Sequence, residues 1–565
     1  MKLIELRFLR GPNLYADSPC MLALVDTMAS GAHARTAASG IQRTVTELQA
    51  LAGVPATMGC VRPVAGRPQE FRIICGFQDE QVAERALDIA LELAQAGQAA
   101  PLALHGELLA AIAERNRRPA RIAAAIAEAR TRGIPVIGMD DGVVQFGWGR
   151  QQVRAGGDDV ATLPPGDGRI PVIAVTGTNG KTTTTLLIAH AVRMAGRTTG
   201  VTTTEGVFID GQRIVQGDCT GYWSAMDVLT SRSVDFAVLE TARGGILKRG
   251  LAFDRCDVSV VLNVSADHLG LEGVDTIEDL AEVKGVVARS AARATVLNAR
   301  DPQCVLMAGR LSPGVEVIYF SMDPDHPVLL RHLAQGGRAV YLDDSSLVVA
   351  DGTLHEELLR VEQMPISLGG RARYNVANAL AAAAALMGAG FAKPDIAAGL
   401  SSFVSDGRSN PLRTNVFDVQ GVTVIVDYAH NTAAYAALAA TARALGKGKL
   451  VGVVTAPGDR RDSDLEEIGA TCARDFDEIV VYESQSRGRT MGGTVEVLVR
   501  GAHAGGGRAA IHEEWIDIDA VRRGLSLCAP GDVMVFACGT SLATFVEALR
   551  LPDPDSAERI AASIS

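Results

Sequence analysis

The pattern of apolar and polar positions divides the chain into an N-terminal part and a longer remainder. Residues 2–9 alternate, with Ile4, Leu6 and Phe8 on one face, which predicts a half-buried strand. Helices are predicted over 79–96 and within 107–132, and a further strand over 132–137. This part therefore indicates a small α+β unit of about 150 residues, a typical domain size.

From residue 170 the pattern changes to short, wholly apolar runs separated by helical stretches. Residues 172–175 form such a run, and the helix that follows places Leu187, Ala191 and Met194 on one face. Similar runs predict buried strands over 236–239, 258–262, 294–297, 422–426, 450–454, 479–482 and 533–537, with an Ala-rich helix over 375–386. Alternation of buried strands and helices predicts mostly parallel sheets with helices on both faces.

Segments rich in Gly, Asp, Ser and Pro predict the domain boundaries, because such residues favour turns and loops. We expect an α/β protein with a small α+β N-terminal domain over 1–155 and a linker over 156–169. A central domain with a parallel sheet and a phosphate-binding loop is expected over 170–408, and a Rossmann-like α/β domain over 409–565.

Composition narrows the functional classes. The 565 residues are 47% hydrophobic and carry a formal net charge of -11, which disfavours a nucleic-acid partner. No apolar stretch approaches about 18 residues, so we expect neither a membrane span nor a membrane partner. The nine cysteines form no C-x-x-C pair, as is typical of reduced thiols in a cytoplasmic protein, and we expect that location.

The most specific local signal is the segment TGTNGKTT at 176–183, which follows a buried strand and opens a helix. Backbone N–H groups at such a helix start bind phosphates, and glycines let the backbone approach them. Lys181 is expected to reach the terminal phosphates of a nucleotide, and Thr182 to offer its hydroxyl to Mg²⁺. The predicted nucleotide-binding residues here are Gly177, Thr178, Asn179, Gly180, Lys181, Thr182 and Thr183. Because Val175 replaces the first Gly of the long GxxxxGK[ST] pattern, the loop is a variant of that pattern.

The GTNGKT form resembles the phosphate loop of the Mur ligases and folylpolyglutamate synthetases. In that family a Glu at the position of Glu240 binds Mg²⁺, and the segment NVSADHL at 263–269 resembles one whose His, here His268, holds a second Mg²⁺. Lys284 matches a lysine that is carbamylated in many members. A carbamate turns a cation into an anionic oxygen ligand, which suits a position near Mg²⁺. The resemblance thus implies Thr182, Glu240, His268 and Lys284 as metal ligands.

Further segments resemble the nucleotide contacts of the same family. Asn298 lies in VLNARDP, Asn375 in RYNV, Arg413 in NPLR, and Asp427 and His430 in DYAHN. The resemblance implies that these five residues contact the nucleotide, and that Lys181, Glu240, His268, Lys284 and Arg413 serve catalysis. The chain departs from the usual motifs at Arg300, Tyr374, Leu412 and Thr432.

Within the family, several segments resemble the cyanophycin synthetase branch: LRGPN at 9–13, RGIP at 132–135, TTTEG at 202–206, GDCTG at 217–221, ETARGGIL at 240–247, PGDRRD at 457–462 and RGR at 487–489. In that branch an ATP-grasp domain separates the N-terminal and Mur parts, whereas here only the linker at 156–169 does. We therefore expect the aspartate-adding activity of that domain to be absent. Candidates for the acceptor side are Thr203, Thr204, Asp218 and Thr220, and candidates for binding anionic substrate groups are Arg243, Arg460 and Arg487.

The resemblance implies an ATP- and Mg²⁺-dependent ligase that joins a carboxylate to an amine through an acyl phosphate. The substrates expected are an amino acid and an acidic amino acid or peptide, and a homo-oligomer is expected because cyanophycin synthetases are oligomeric. Two alternatives remain open at this point. One is an ATP-binding pseudoenzyme or scaffold for another ligase, and the other is a cell-wall or folate-type ligase, which the ETARGGIL segment and the N-terminal unit disfavour.

Overall fold

The computed structural model describes residues 1–96, 101–139, 142–156, 162–537 and 541–564. It contains two compact units, one made of residues 1–174, 198–257 and 282–292, the other of residues 175–197, 258–281 and 293–565. Of the linker expected at 156–169, residues 157–161 lie outside the described residues.

The N-terminal residues form an α+β arrangement, as predicted. Its elements are β1 (Lys2–Leu9), β2 (Cys20–Asp26), α1 (Gly31–Leu51), β3 (Gly59–Val64), β4 (Arg67–Gly76), α2 (Glu80–Ala96), α3 (Leu102–Arg115), α4 (Ala120–Thr131), β5 (Val136–Gly138), β6 (Val144–Phe146) and β7 (Val153–Ala155). An antiparallel sheet of order β1-β2-β4-β3 packs one face on α1 and α2, and a second small sheet has the order β5-β6-β7.

The alternation in β1 is interrupted by a bulge that the sequence pattern does not show. The register with β2 shifts between Leu3 and Glu5, so Leu3, Leu6 and Phe8 face the helices while Ile4 is 44% exposed. A bulge places two residues opposite one, which moves every residue on one side of it to the other face. The prediction that Ile4 shares the buried face is therefore wrong.

The rest of the chain alternates strands and helices. Up to residue 308 the elements are β8 (Val172–Thr176), α5 (Lys181–Met194), β9 (Thr199–Thr203), β10 (Gly206–Ile209), β11 (Gln212–Gln216), α6 (Tyr222–Thr230), β12 (Phe236–Glu240), α7 (Arg243–Arg249), β13 (Cys256–Val261), α8 (Ile277–Arg289), β14 (Ala291–Asn298) and α9 (Pro302–Ala308). Then follow β15 (Glu316–Ser321), α10 (Pro327–Ala334), β16 (Arg338–Asp343), β17 (Ser346–Asp351), β18 (Leu354–Arg360), α11 (Arg373–Ala389) and α12 (Lys393–Ser402). The C-terminal elements are β19 (Asn415–Val419), β20 (Val422–Asp427), α13 (Thr432–Leu445), β21 (Leu450–Val454), α14 (Asp462–Asp475), β22 (Glu478–Val481), α15 (Gly493–Ala504), β23 (Ala510–Glu513), α16 (Asp517–Ser526), β24 (Val533–Ala537), α17 (Leu542–Leu549) and α18 (Pro554–Ile564).

The sheets combine the expected parallel strands with antiparallel edges. In the first unit, β9 and β12 are parallel, and β10 and β11 extend the sheet antiparallel to its edge. In the second unit, β14, β15 and β16 are parallel, and β17 and β18 extend that sheet antiparallel. Most of β11 and β18 is exposed, so these two edge strands lack the apolar runs by which buried strands are recognised.

The C-terminal elements build a second sheet of order β19-β20-β24-β21-β22-β23, with all pairs parallel except β19–β20. Hydrophobic clusters lie on both faces of this sheet, under α13 to α15 on one side and under α16 to α18 on the other. This is the doubly covered arrangement that the alternating pattern predicted. None of the described helices is both long and apolar enough to cross a membrane.

The segment LRGPN binds the end of α7 through its backbone. Arg10 donates its N–H to the carbonyl of Arg249 at 2.7 Å, and Leu251 donates to the carbonyl of Pro12 at 2.8 Å. Gly11 is required at this contact because a Cβ there would lie 2.0 Å from the carbonyl oxygen of Leu251. The family-like segment at 9–13 thus contacts residues 249–251, which directly follow the segment at 240–247.

Candidate functional site

The phosphate loop joins a fully buried strand to the start of a buried helix. β8 ends at Thr176, and α5 begins at Lys181 after Gly180, whose φ of +86° is left-handed. A Cβ at Gly180 would lie 2.2 Å from Oδ1 of Asn378, so both the backbone conformation and the space require glycine. Lys181 folds over the loop and donates from Nζ to the carbonyl of Thr178 at 2.9 Å. The helix prediction is confirmed, except that Met194, in the last turn, is 57% exposed instead of buried.

The side chain of Asn263, which follows β13, fixes the loop backbone. Oδ1 of Asn263 accepts from the N–H groups of Thr178 at 3.1 Å and Asn179 at 2.9 Å, and its Nδ2 donates to the carbonyl of Asn179 at 3.1 Å. The hydroxyl of Thr178 exchanges hydrogen bonds with the backbone of Ser265. The N–H groups of Thr178 and Asn179 are therefore engaged by the protein, which leaves phosphate binding to the later N–H groups at the start of α5.

The turn after β14 holds residues 262–264 through side-chain hydrogen bonds. Asn298 donates from Nδ2 to the carbonyl of Leu262 at 3.0 Å, and Val264 donates its N–H to Oδ2 of Asp301 at 2.7 Å. Oδ1 of Asp301 also caps α9. In this structure Asn298 therefore orders the backbone next to the phosphate loop.

Beyond Asn263 the chain places Asp267 and His268 in a charged cluster with His430 and Arg460. One ligand atom each from Asp267, His268 and His430 lies within 4.8 Å of the others, so these three groups form a candidate cation site. Arg460, with a side chain only 3% exposed, donates from Nε to Oδ1 of Asp267 at 3.0 Å and from Nη2 to Nε2 of His268 at 3.0 Å. Arg460 was expected to bind an anionic substrate group; here it is buried against Asp267.

The electrostatics of the cluster keep Asp267 ionised. Burial raises the pKa of Asp267, but the hydrogen bond and charge of His430, with His268 and Arg460, outweigh burial and hold that pKa well below its usual range. His430 donates from Nδ1 to the carbonyl of Tyr428 at 2.9 Å, so its Nε2 faces Oδ2 of Asp267 at 3.4 Å.

A second arginine holds the loop that carries Arg460. Arg489 donates to the carbonyls of Gly458 at 3.1 Å and Arg460 at 2.9 Å, and it binds Oδ1 of Asp462 at 2.9 Å. Arg487 binds Oδ2 of Asp459 in the same loop at 3.2 Å. Arg489 therefore fixes the backbone from which Arg460 reaches Asp267, a role the sequence pattern did not assign.

A reciprocal amide pair links the phosphate loop to the DYAHN segment. Nδ2 of Asn431 donates to Oδ1 of Asn179 at 2.9 Å, and Nδ2 of Asn179 donates back to Oδ1 of Asn431 at 3.3 Å. Asn431 also caps α13 by accepting from the N–H of Ala434 at 3.0 Å. Two segments 252 residues apart in the chain are thereby joined directly.

Tyr374, which stands where the family usually has His, completes a chain of hydroxyls to Asp427. Thr414 donates its N–H at 2.8 Å and its hydroxyl at 3.1 Å to Oδ2 of Asp427. Since the Thr414 hydroxyl proton points to Asp427, the Tyr374 hydroxyl donates to Oγ1 of Thr414 at 2.6 Å. Burial raises the pKa of Asp427, although Arg413 and the Thr414 hydrogen bonds act in the opposite direction. Asn375 is buried beside this chain and donates to the carbonyl of Ile366 at 3.2 Å.

The backbone around Arg413 keeps a conformation that glycine adopts readily. Leu412, which replaces the usual Gly, has a φ of +58°, and Thr414 has a φ of +57°. The Leu412 side chain is buried in the C-terminal core, which offsets the cost of this conformation. The guanidinium of Arg413 lies 4.6 Å from the centre of the Tyr428 ring, a favourable cation–π distance.

The remaining predicted ligands lie in the first unit. Glu240, at the end of β12, is 2% exposed and accepts from the N–H of Thr204 at 3.2 Å and from its hydroxyl at 3.1 Å. Lys284, in α8, is 3% exposed. An ordinary lysine on a helix surface keeps its ammonium in water, so this burial favours a specific role for Lys284.

The candidate acceptor residues surround one loop next to Glu240. Oδ1 of Asp218 accepts a hydrogen bond from the hydroxyl of Thr220 at 2.7 Å, and the carbonyl of Thr203 accepts one from the N–H of Cys219 at 3.0 Å. Ala242 donates its N–H to the carbonyl of Thr220 at 3.2 Å just before Arg243 opens α7. The candidates Thr203, Thr204, Asp218 and Thr220 thus share one neighbourhood of the first unit.

The sequence identified the second-unit segments but assigned no role to several residues that order them. These residues are Asn263, Asp301, Asn378, Asn431 and Arg489. Asn263 and Asn431 belong to segments quoted as family-like, so their positions were visible in the sequence. Their partners were not, because each contact joins residues at least 84 positions apart.

Comparison with known proteins finds two Mur ligase domains in the chain. Residues 175–386 match the Mur ligase middle domain, and residues 412–539 match the Mur ligase glutamate ligase domain. The chain is 45% identical over 345 residues to the cyanophycin synthetase of a Synechocystis species, covering 59% of this chain and 38% of the relative. It is 28% identical over 378 residues to the UDP-N-acetylmuramoyl-L-alanyl-D-glutamate–2,6-diaminopimelate ligase of Corynebacterium efficiens, covering 65% of this chain and 68% of that relative.

Among solved structures, the folylpolyglutamate synthase of Mycobacterium tuberculosis complexed with ADP and AMPPCP matches with a TM-score of 0.49 and 20% identity, covering 67% of this chain and 90% of that one. The chain spans about two fifths of the length of the cyanophycin synthetases it matches. The two domain matches, at residues 175–386 and 412–539, together span more than half of the chain and show that it belongs to the Mur ligase family.

Proposed function

We propose that the protein is an ATP- and Mg²⁺-dependent ligase that joins a carboxylate to an amine. The observation that carries the proposal is the hydrogen-bonded connection of the phosphate loop with the segments at 263–268 and 427–431. These are the segments by which the sequence resembles the nucleotide-handling parts of Mur ligases. A loop that only binds phosphate needs no such partners, whereas transfer of a phosphoryl group needs charges held around it.

The geometry of the phosphate loop supports binding of a nucleoside triphosphate. The left-handed Gly180 turns the chain so that α5 starts at the loop, and the helix presents its first N–H groups and the positive end of its dipole there. Lys181 already lies over the loop, where its ammonium would neutralise the outer phosphates. We propose that Asn298, Asn375, Arg413, Asp427 and His430 complete nucleotide binding.

The candidate metal ligands fit a divalent cation to different degrees. Glu240 is a buried carboxylate and Lys284 a buried lysine that carbamylation would convert to an anionic oxygen ligand, and Mg²⁺ prefers such oxygens. His268 fits less directly, because Arg460 donates to its Nε2 in this structure. A cation at His268 would require Arg460 to turn away. When bound, Mg²⁺ would neutralise charge on the transferring phosphoryl group.

The proposed reaction has two steps with balanced bonds. A carboxylate oxygen of the first substrate bonds to the γ-phosphorus, the bond from that phosphorus to the β–γ bridging oxygen breaks, and ADP leaves. The amine nitrogen then bonds to the carbonyl carbon, the carbon–oxygen bond to phosphate breaks, and the amine loses a proton. Lys181 and Arg413 would stabilise the charge of the first step, and exclusion of water would protect the acyl phosphate.

The substrates, the cellular location and the oligomeric state are also proposals. We propose that an acidic amino acid or peptide is joined to an amino acid, with Thr203, Thr204, Asp218 and Thr220 on the acceptor side. Arg243 and Arg487 are proposed to bind anionic substrate groups. We propose a cytoplasmic homo-oligomer, with no nucleic-acid or membrane partner.

The decisive experiment mixes purified protein, ATP and Mg²⁺ with a panel of amino acids and acidic dipeptides. Phosphate release is measured together with the mass of any amide product. We expect release that depends on one carboxylate and one amine, and a loss of at least about a hundredfold in Lys181→Ala, because a cation that stabilises the transition state is removed. If the protein binds nucleotide but releases phosphate no faster than Lys181→Ala with every member of the panel, the result would favour the scaffold alternative and reject the ligase.

A further inference from the structure

An exposed tryptophan is held in a fixed position beside the candidate acceptor loop. Trp223 is the second residue of α6, which begins directly after the GDCTG segment, and 54% of its surface is exposed. The ring of Tyr222 packs edge-on against it, with centroids 5.1 Å apart. Large exposed apolar groups that are held rigid are typical of binding surfaces, because they lose little entropy when a ligand covers them.

Arginines of two different segments flank this ring. The guanidinium of Arg10 lies 4.8 Å from the ring centre and is fixed by two hydrogen bonds, of 2.7 and 2.8 Å, to the carboxylate of Glu80. Arg249, at the end of α7, lies 6.0 Å from the same ring. The backbone bonds of Arg10 to Arg249 and of Pro12 to Leu251 hold both arginines in place. The N-terminal segment therefore builds part of the surface.

The surface carries positive charge that the described residues do not neutralise. Glu80 pairs with Arg10, but within the described part of the chain neither Lys248 nor Arg249 has a carboxylate partner within ion-pair distance. Lys248 is exposed, and the molecule as a whole carries a net charge of -11. A local excess of cations on an acidic protein attracts anionic ligands by charge complementarity.

The distance from this surface to the acceptor loop suits a short peptide. α7 begins next to the loop, where Ala242 binds the carbonyl of Thr220 and a Cβ at Gly245 would lie 2.9 Å from Gly221. Seven helical residues at about 1.5 Å each place Arg249 roughly 10 Å further on. An extended peptide covers that distance with about three residues.

We propose that Trp223, Lys248 and Arg249 form a remote acceptor subsite that binds the part of an acidic peptide about three residues from the carboxylate that reacts. The inference rests on the proposed ligase function and adds that the preferred acceptor is a peptide of several residues. Carboxylates of the peptide pair with Lys248 and Arg249, and its backbone lies against the Trp223 ring.

The experiment measures binding of aspartate, di-aspartate and tetra-aspartate to the full-length protein by calorimetry without ATP. We expect tetra-aspartate to bind at least about tenfold more weakly to the Lys248→Glu/Arg249→Glu double variant than to the wild type, and several-fold more weakly to Trp223→Ala. Binding of free aspartate should be unchanged. The matched controls are Arg115→Glu/Arg121→Glu, which makes the same charge change on exposed residues of α3 and α4, and Trp515→Ala, another exposed tryptophan.

Three results would overturn the subsite. They are absence of tetra-aspartate binding to the wild type, equal weakening in the control double variant, and equal weakening for free aspartate. Phosphate release with the short acceptors separates this failure from failure of the ligase function. If turnover with short acceptors persists in the double variant while tetra-aspartate loses its advantage in KM, the subsite is supported.

Discussion

At the scale of residues, the ordering of the phosphate loop depends on asparagine side chains. An amide both donates and accepts hydrogen bonds, so one side chain is able to fix a backbone N–H and a carbonyl at once. Asn263 and Asn298 bond backbone groups in this way. The other asparagines that hydrogen-bond in these segments are Asn179, Asn375, Asn378 and Asn431. Because these bonds are buried or half-buried, losing one leaves the partner groups unsatisfied.

Asn263→Ala should weaken ATP binding because it releases the N–H group of Asn179, whereas the N–H of Thr178 keeps the backbone carbonyl of residue 263 as an acceptor. An unsatisfied buried donor costs about 1–3 kcal/mol, which corresponds to an increase in Kd of about five- to 150-fold. Calorimetric titration with ATP and Mg²⁺ measures the change. Asn116→Ala is the control, since it removes an amide with two exposed hydrogen bonds far along the sequence from the loop. Equal affinity in both variants would contradict the role of Asn263.

Some of the site was predictable from the residues, and some was not. The phosphate loop at 176–183 was predictable because the strand, the glycines, the lysine and the helix that define it follow one another in the sequence. The burial of Lys284 and the pairing of Arg460 with Asp267 depend on contacts between distant segments. A surface arginine and a buried, paired one have the same sequence signal, so the environment of Arg460 was not predictable.

At the scale of elements, buried strands were the most predictable features. The wholly apolar runs at 172–175, 236–239, 450–454 and 533–537 all lie in strands, because a strand covered on both faces needs apolar residues at every position. The helix α1 and the hairpin strands β10 and β11 were not predicted. α1 mixes Thr, Ser and Gly with its apolar residues, β10 has only four residues, and β11 is exposed throughout, so none of them has a strong periodic signal.

Gly180→Ala tests the junction between the phosphate loop and α5. A left-handed alanine costs about 1–2 kcal/mol, and the contact with Asn378 adds about 1–3 kcal/mol of overpacking. Gly196→Ala is the matched control, because Gly196 has a φ of +81° but nothing within 4 Å of a Cβ. Urea unfolding should show a larger loss of stability for Gly180→Ala. Equal losses would mean that the space beside Asn378 is not limiting.

At the scale of the whole molecule, the N-terminal residues belong to the same compact unit as 198–257. Gln145 and Gln152 donate to the carbonyls of Leu229 and Thr230 at the end of α6. Such bonds satisfy carbonyls that a helix end leaves without partners. The N-terminal part thus supports α6, the helix that follows the candidate acceptor loop.

Gly11→Ala should loosen this support. A Cβ 2.0 Å from the carbonyl oxygen of Leu251 forces the two segments apart, at a cost of about 1–3 kcal/mol. Hydrogen exchange should accelerate at the N–H groups of Arg10 and Leu251, which bond across this contact. Gly40→Ala, in the interior of α1 with nothing within 4 Å of a Cβ, should instead be neutral or stabilising by about 0.5–1 kcal/mol. Unchanged exchange in Gly11→Ala would show that the contact tolerates a methyl group.

The reciprocal pair of Asn179 and Asn431 has a consequence for turnover. Two neutral hydrogen bonds together contribute about 1–3 kcal/mol net, so this pair by itself would be broken in roughly one molecule in six to one molecule in 160. A contact of this strength orders the two segments but still opens in a measurable fraction of molecules. A nucleotide in the phosphate loop that reorients Asn179 would therefore also affect the start of α13, because Asn179 is the partner of Asn431, the residue that caps that helix.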